Sequence, residues 1–467
     1  MKLHNKNTAK ILSLILLLSG VILSPQLQAQ IGDLDAIKIE ANKIAAYYEN
    51  LGWFSGSLLL AKDGNVFHQA SFSYSNIESK VKNTSLTKYN LGSIVKNFTA
   101  VLILQEVENK KLSLGDTLSK FDLGFPAVIA NKITIRHLLD HRSGFDDIFT
   151  AEYRQDQMAF DTLEKKLTLL RDKPLLFEPD SDYKYSNYGY VVLGAILEKL
   201  NKKSYENLLR KNIFDKVGLA NSTFLPSHED KNQSTRYTYN YAGELSEVGI
   251  TEHAGPDGGI ESTASDLQLF YRELFYGSKL LSREKGVLQE VFAVDGEHWG
   301  AYGGGLGVSA AIEVDLLNGM EVVVLSNTDN LVAERISGRI LSFIKEGEYT
   351  PIRILPSNFA YQYYKEHGFE NFRDEFKSAY KAAGYESFIG GTLNELGMQL
   401  IRTESWDQAF DIFNSLVSFF PDAPQVYDSL AFAYYSKGEF EKARSIFAKG
   451  AKLKTDFVSD YNGKNYQ

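Results

Sequence analysis

The chain has 467 residues, more than one ordinary domain needs, which predicts roughly two to three domains. Hydrophobic residues make up 44% and charged residues 23% of the sequence, and this balance excludes a disordered, collagen-like or wholly membrane-embedded chain. The 50 Lys and Arg against 59 Asp and Glu give a net charge of −9, so we expect no nucleic-acid partner. The absence of cysteine excludes disulfides, a thiol nucleophile and thiolate metal sites.

The first residues have the layout of a secretory signal peptide. Lysines among the first ten residues precede an apolar run, Ile11–Leu23, and the small residue Ala29 offers a cleavage point. The run of 13 residues is short for a membrane span, although an uncleaved anchor is the alternative. We therefore predict a signal peptide over 1–29 and a periplasmic or secreted protein without a stable membrane anchor.

The next elements are a helix, two strands and a long helical section. Apolar spacing predicts a helix over Ile37–Leu51. Strands are predicted over Gly56–Ala61 and Val66–Tyr74, joined by a turn at Asp63-Gly64. The section Leu91–Leu288 then has mostly helical character.

Strand character returns after the helical section. The strands Leu306–Val314 and Met320–Leu325 are separated by Asn318-Gly319, a strong hairpin signal, and a helix over Val332–Lys345 follows. Strands at both ends with helices between them predict an α+β domain over 30–346. We expect an antiparallel sheet flanked by helices, with an all-helical subdomain inserted.

The last part of the chain, 359–467, repeats with a period of 34 residues after a predicted linker over 347–358. The recurring positions are Leu396, Gly397, Leu400, Trp406, Ala409 and Phe413, followed by Leu430, Ala431, Tyr434, Phe440, Ala443 and Phe447. This pattern resembles tetratricopeptide repeats, although two copies fall short of the roughly three that stability usually needs. Helices over 359–364 and 369–383 are expected to complete the packing. The domain is either a groove for a protein partner or a structural appendage.

Ser93 and Lys96 form a Ser-x-x-Lys pair whose context distinguishes it from other matches in the chain. Leu91-Gly92 precedes the pair and an apolar helical pattern follows, so Ser93 is expected at a helix N-terminus with Lys96 on the same face. Free N–H groups of a first helical turn can stabilise an oxyanion, and Lys96 could take the Ser93 proton. The alternative is a capping serine beside a solvated lysine.

Tyr185-Ser186-Asn187 is the second candidate element. A tyrosine oxygen beside a lysine can relay protons, and Asn187 could donate an amide N–H to a substrate carbonyl. The alternative is a tyrosine packed in a loop between helices.

The order of these motifs resembles the class C β-lactamase and penicillin-binding-protein-like serine hydrolases. The pattern also includes Thr134–Gly144, Gly258–Leu267 and a Gly-rich strand that ends at Val324–Asn327, and it covers about 37–345. The histidines of the first of these segments, His137 and His141, are expected to be structural. The resemblance implies a β-lactamase/transpeptidase-like fold and a small-molecule or peptide acyl substrate, with no metal or cofactor.

The resemblance also implies roles for individual residues. Ser93 would form an acyl-enzyme with an amide or ester, such as a D-amino-acid peptide, a β-lactam-like compound or an ester. Lys96 and Tyr185 would act as general base and acid. The N–H of Ser93 and one from the Gly-rich strand would form the oxyanion hole.

The family's third motif, Lys or His followed by any residue and Gly, is altered in this chain. A gapless register puts Ala301 in the basic position, whereas a competing register makes His298 the basic residue. Gly303 and Gly304 let the backbone approach a substrate closely, so we expect substrate contacts from these glycines, His298 and Asn187. Alanine cannot hold a carboxylate, which argues against efficient β-lactam or peptide-carboxylate recognition. The competing hypothesis is a catalytically weak relative that binds a cell-wall-like ligand, or a protein partner through the repeats.

Overall fold

The computed structural model describes residues 25–224, 230–292, 296–454, 456–459 and 461. Most of the predicted signal peptide, residues 1–24, lies outside this range, and its last residues begin the first helix. Within the described ranges, no helix combines the length and apolar character that crossing a bilayer requires.

Strands and helices are numbered here in chain order. The strands are β1 (Gly56–Lys62), β2 (Asn65–Phe72), β3 (Tyr74–Asn76), β4 (Val81–Lys82), β5 (Tyr89–Asn90), β6 (Arg236–Tyr239), β7 (Leu245–Val248), β8 (Glu261–Ser262), β9 (His298–Gly305), β10 (Val308–Asp315) and β11 (Met320–Ser326). The helices are α1 (Pro25–Asn50), α2 (Val95–Glu108), α3 (Ala127–Ala130), α4 (Ile135–Leu139), α5 (Ala151–Gln155), α6 (Leu163–Thr168), α7 (Asn187–Asn201), α8 (Tyr205–Leu209), α9 (Asp215–Val217), α10 (Ala264–Tyr276), α11 (Gln289–Phe292), α12 (Val332–Glu346), α13 (Pro356–Ala382), α14 (Ile389–Arg402), α15 (Trp406–Phe419), α16 (Pro424–Ser436) and α17 (Phe440–Ala451). Short 3-10 turns lie at Gly92–Ile94, Leu118–Lys120, Gln157–Ala159 and Arg283–Lys285, and a π-helical turn lies at Arg210–Phe214.

A five-stranded antiparallel sheet, in the order β2-β1-β11-β10-β9, joins the two ends of the first domain. The predicted turn is present, with Gly319 at a φ of 68° between β10 and β11. Every residue of β10 and β11 is buried, because helices cover both faces of the sheet. The predicted architecture, an antiparallel sheet with a helical section inserted between its strands, is confirmed.

Alternation along β10 assigns its residues to two separate cores. Ala310 and Ile312 face the larger core, which the sheet forms with the inserted helices. Within that core Phe98 of α2 stacks on Phe270 of α10, with ring centroids 3.8 Å apart. Ala311 faces the smaller core, which α1 and α12 complete. The two faces of β9 therefore have different neighbours, and this decides where its side chains point.

The inserted section is less uniformly helical than predicted. The strands β6 and β7 form a two-stranded hairpin within the section that was predicted to be mostly helical. Its turn is closed by the Gly243 N–H, which donates to the Asn240 carbonyl, and Gly243 has a φ of 80°. The sequence pattern that indicates this hairpin is a short alternation of tyrosines before the glycine. It is too short to predict strands within a section that otherwise has a helical pattern.

The C-terminal part is helical throughout α13–α17, with an apolar core of its own. Helix α13 is broken at Gly368, which has a φ of 75°, so its two halves correspond to the two predicted helical segments. Repeat positions such as Leu396, Leu400 and Phe413 are fully buried. The tetratricopeptide assignment itself stays a prediction.

The close approach of α14 and α15 depends on Gly397. A Cβ there would overlap the ring of Phe413, so we expect Gly397→Ala to lower the unfolding free energy of the C-terminal helices by about 1–3 kcal/mol. The control is Gly391→Ala in the same helix, where the nearest atom is 3.9 Å away in Phe388. That change should be neutral or stabilise by up to about 1 kcal/mol. Calorimetry of the two variants checks this, and equal transition temperatures would contradict it.

Candidate active site

The nucleophile candidate lies in a tight turn before α2. Ser93 occupies the 3-10 turn Gly92–Ile94, and Gly92 has a φ of 50° that favours glycine. The Asn90 side chain accepts from the Gly92 N–H at 2.8 Å, which fixes the entry to the turn. The Leu91 N–H donates to the Ile260 carbonyl at 2.9 Å. The turn is thus held from both sides while Ser93 lines an open cavity.

Lys96 and Tyr185 meet at the Ser93 hydroxyl. The Lys96 Nζ lies 3.1 Å from the Ser93 Oγ, and the Tyr185 hydroxyl lies 2.8 Å from the same oxygen. Lys96 is only 5% exposed, and no carboxylate of the described residues forms an ion pair with it. Its charge therefore acts on the serine and on the Tyr185 ring, whose centroid is 5.1 Å from Nζ.

Asn187 has a different position from the one expected for a substrate donor. Its Oδ1 accepts from Lys96 Nζ at 2.7 Å, and its Nδ2 donates to both carboxylate oxygens of Asp147 at 3.1 Å. This orientation of the amide is required, because a lysine only donates and a carboxylate only accepts. Asn187 lines the cavity but uses its amide to hold Lys96, so the predicted N–H donation to a substrate carbonyl is not what this geometry offers.

His141 supports Tyr185 rather than touching Ser93. The two rings stack with centroids 4.3 Å apart, and the His141 Nδ1 accepts from the Ser186 N–H at 3.2 Å. Burial, aided by the charge of Lys96, lowers the pKa of His141 to about 4. A neutral ring against Tyr185 adds no competing charge beside Lys96. The other histidine, His137, forms a capping box with Thr134 at the start of α4.

The glycines of β9 bring this edge strand against the serine turn. A Cβ on Gly303 would overlap the Leu91 carbonyl oxygen, and a Cβ on Gly92 would lie 2.9 Å from the Gly304 nitrogen. Backbone therefore meets backbone at this junction: the Gly304 nitrogen lies close to Gly92, and the Ser93 nitrogen lies close to Gly303. Gly304 lines the cavity.

The register of β9 decides between Ala301 and His298. Ala301 and Gly303 share one face of the strand, because side chains alternate, and Ala301 is 8% exposed in the larger core. His298 is an odd number of residues from Gly303 and faces the other side. This geometry contradicts the expected contact of His298 with substrate, and it favours the register in which Ala301 is at the basic position.

His298 instead belongs to a polar cluster under β9. Its Nε2 lies 2.6 Å from a carboxylate oxygen of the buried Glu313, which also accepts from Tyr302 at 2.9 Å and from Ser337 of α12 at 3.1 Å. A Cβ on Gly300 would lie 2.9 Å from the same carboxylate. The cluster thus ties β9 to β10 and α12 on the side away from Ser93.

A cavity of about 340 Å³ opens in front of Ser93. The cavity is also lined by residues that no sequence motif singled out: Phe149, Arg154, Gln157, Arg236, Val248, Thr251, Glu252 and Asp257. They come from α5, the 3-10 turn Gln157–Ala159, the β6–β7 hairpin and loops, which carry no local motif. Among the described residues no group of His, Asp and Glu is arranged to hold a metal ion.

Comparison with known proteins identifies the family. The family model described as Beta-lactamase matches residues 41–343, which is more than half of the chain. The chain belongs to this family. Its members are serine hydrolases, and the matched range contains both the Ser93 turn and β9.

The individual relatives have low sequence identity to this chain. Penicillin-binding protein 4* of Bacillus subtilis (strain 168) is 29% identical over 250 residues, 49% of this chain and 54% of that protein, so the chain spans about half of its length. The penicillin-binding protein homologue of Pyrococcus abyssi aligns with a TM-score of 0.59 at 25% identity, over 72% of this chain and 82% of that one. The D-amino acid amidase of Ochrobactrum anthropi SV3 aligns with a TM-score of 0.58 at 19% identity, over 68% of this chain and 99% of that one. This similarity shows a shared fold.

The low pKa of His141 makes stability depend on pH. The folded protein binds this proton less readily than the unfolded chain, whose histidine titrates near 6.5. Neutral His141 therefore contributes to the unfolding free energy above about pH 6.5. As the pH falls toward 4, this contribution is lost, and the loss is at most about 3 kcal/mol. We expect His141→Asn, which tolerates the φ of 56°, to lose less stability than the wild type between pH 7 and 4.

Denaturant unfolding at a series of pH values measures this difference. The control is His367→Asn, because His367 is exposed and should leave the wild-type pH dependence intact. Parallel curves for the wild type and His141→Asn would contradict the assignment.

Proposed function

We propose that this chain is a serine hydrolase that cleaves an amide or ester substrate through an acyl-enzyme on Ser93. One set of contacts carries the proposal: the Lys96 Nζ and the Tyr185 hydroxyl both lie within 3.1 Å of the Ser93 Oγ. A nucleophile with two proton-carrying groups at hydrogen-bond distance is what acyl transfer requires. The cavity in front of it has room for a small acyl substrate.

In acylation, the Ser93 Oγ bonds to the substrate carbonyl carbon while its proton passes to the Lys96–Tyr185 pair. The bond from that carbon to the leaving group then breaks, and the pair returns the proton to the departing amine or alcohol. A water molecule next gives a proton to the pair as its oxygen bonds to the acyl carbon. Ser93 leaves with that proton, so the products are a carboxylic acid and the free enzyme.

The negative charge of the tetrahedral intermediate needs donors that are already in place. The backbone N–H groups of Ser93 and Gly304 suit this role, because both residues line the cavity and the glycine junction packs their two segments backbone against backbone. Strand β9 is at the edge of the sheet and bonds to β10 on one side only, which leaves backbone donors on its free side. Such preorganised donors contribute about 3–4 kcal/mol each to the reaction.

We also infer that the enzyme works outside the cytoplasm, as a periplasmic or secreted protein. The support is the basic, apolar and small-residue layout of residues 1–29, together with the lack of cysteine for a lipid anchor. Fractionation of cells that express the full chain, with mass spectrometry of the mature N-terminus, tests this inference.

Removal of the serine hydroxyl is the direct test of the enzyme. We expect Ser93→Ala to lower kcat/KM on an activated ester about a thousandfold or more, and to abolish covalent labelling by a fluorescent acylating probe. Tyr185→Phe should lower kcat/KM about a hundredfold, because it removes one proton-carrying group and keeps the ring.

The matched control is Ser79→Ala, because Ser79 has the same spacing to Lys82 but lies in an exposed turn. It should label and react as the wild type does. If wild-type protein and Ser93→Ala label equally and neither hydrolyses the ester, the chain is instead a catalytically weak relative that binds its ligand.

For the C-terminal helices we propose a bracing role, with a protein-binding groove as the alternative. Tyr241, in the turn of the β6–β7 hairpin, is buried in the core of these helices. Its hydroxyl lies 3.0 Å from the Thr403 Oγ1, its ring meets Tyr361 at 4.6 Å, and its carbonyl accepts from the Asn358 side chain at 2.8 Å. The same hairpin supplies wall residues of the cavity, so the helices support that wall.

Truncation of Tyr241 tests the bracing role. We expect Tyr241→Ala to speed amide hydrogen exchange in β6 and β7 at least about tenfold and to lower kcat/KM, because a buried aromatic contact worth about 3–5 kcal/mol is lost. Tyr241→Phe keeps the ring contact and should change both measurements little. Unchanged exchange in Tyr241→Ala would favour the partner-binding alternative.

A further inference from the structure

The cavity face of β9 has no positive charge where the family's third motif has one. Ala301 occupies that place and its side chain packs into the larger core. A substrate with an anionic group next to its acyl bond therefore needs a cation from another element. The cavity wall formed by the β6–β7 hairpin provides one, Arg236.

Arg236 is a buried arginine without an ion pair. It is 7% exposed, and within the described ranges no carboxylate lies close enough to its guanidinium to form a salt bridge. Its side-chain hydrogen bond goes from Nη2 to the Gly249 carbonyl at 2.9 Å. Arg236 also lines the cavity in front of Ser93. Arginines this buried are normally paired, so an unpaired one beside a cavity indicates an anionic ligand.

The backbone of Arg236 is fixed against the end of β11 and the turn between β9 and β10. The next residue, Tyr237, donates its N–H to the Asn327 carbonyl at 2.8 Å, which attaches β6 to the end of β11. A Cβ on Gly307, in the turn between β9 and β10, would lie 2.7 Å from the Arg236 Cβ. Arg236 and Gly304 therefore line the same cavity, and the bond from Nη2 to the Gly249 carbonyl restrains the guanidinium before a ligand arrives.

Two acidic residues affect Arg236 without neutralising it. Burial raises the pKa of Glu261 to about 7, so this carboxyl is partly protonated at neutral pH, and it accepts a hydrogen bond from Gln233. Burial and the charge of Asp257 raise the pKa of Glu252, which lines the cavity. Both carboxyls thus favour their neutral forms more than an exposed glutamate does, and within the described ranges neither forms a salt bridge with Arg236.

We propose that Arg236 binds a carboxylate of the acyl substrate and so replaces, from the β6–β7 hairpin, the basic residue that is missing at 301. The substrate class is then an ester or amide of an acyl compound that carries a free carboxylate near the scissile bond. The planar guanidinium suits a carboxylate because it offers parallel N–H donors. This proposal rests on the proposed function, since it assigns specificity to the Ser93 reaction.

A pair of substrates that differ only in one charge tests the proposal. The pair is an activated ester with a free carboxylate on its acyl part and the matching methyl-capped ester. In the wild-type full chain we expect kcat/KM to favour the carboxylated ester at least about tenfold. In Arg236→Gln that ratio should fall to near one, and Arg236→Lys should retain part of it because it keeps the charge but not the paired donors.

The control variant is Arg210→Gln, an exposed arginine that pairs with Glu206 away from the cavity. It should keep the wild-type ratio, and melting temperatures of all variants show whether the hairpin stays folded. A wild type without preference for the carboxylate, or a folded Arg236→Gln with the wild-type ratio, overturns the proposal. The proposed function fails separately, when Ser93→Ala hydrolyses both esters as well as the wild type does.

Discussion

The site depends on one backbone contact, the junction between the Ser93 turn and the edge strand β9. Gly92 and Gly303 each leave out a side chain that would collide with the other segment's backbone. The junction has two effects at once: it holds the serine turn before α2 and brings β9 to the edge of the cavity. A residue larger than glycine at either position would push the two segments apart and, in the proposed mechanism, move the Gly304 N–H away from the oxyanion that forms at Ser93.

The two faces of β9 make different contacts. On one face, glycine and alanine allow the helical core and the serine turn to approach. On the other, the buried Glu313 links His298, Tyr302 and Ser337, which holds the strand in register. The strand's polar side chains are therefore used for position, whereas in the proposed mechanism its backbone donates to the oxyanion. The cationic group that a charged substrate needs comes from a neighbouring hairpin instead.

The sequence predicted what local patterns can encode and missed what only the fold brings together. The sheet strands, the glycine turn of β10 and β11, and the grouping of Ser93, Lys96 and Tyr185 came from alternation, turn chemistry and motif order. The contact of Asn187 with Asp147 could not be predicted, since the partner comes from a loop 40 residues earlier. Arg236 was missed because a lone arginine has no motif, and the face of His298 required the register of β9.

The separation of Ser93 and Gly303 along the chain has a consequence for how the enzyme becomes active. The sheet pairs β1 with β11, so β1 cannot pair with this neighbour until β11 has been synthesised. Contacts between such distant segments form late, because closing a long loop costs entropy before any packing repays it. A growing or partly folded chain therefore carries the serine, lysine and tyrosine before β9 has joined the serine turn. In the proposed mechanism, we expect the chain to become reactive only after this last contact has formed.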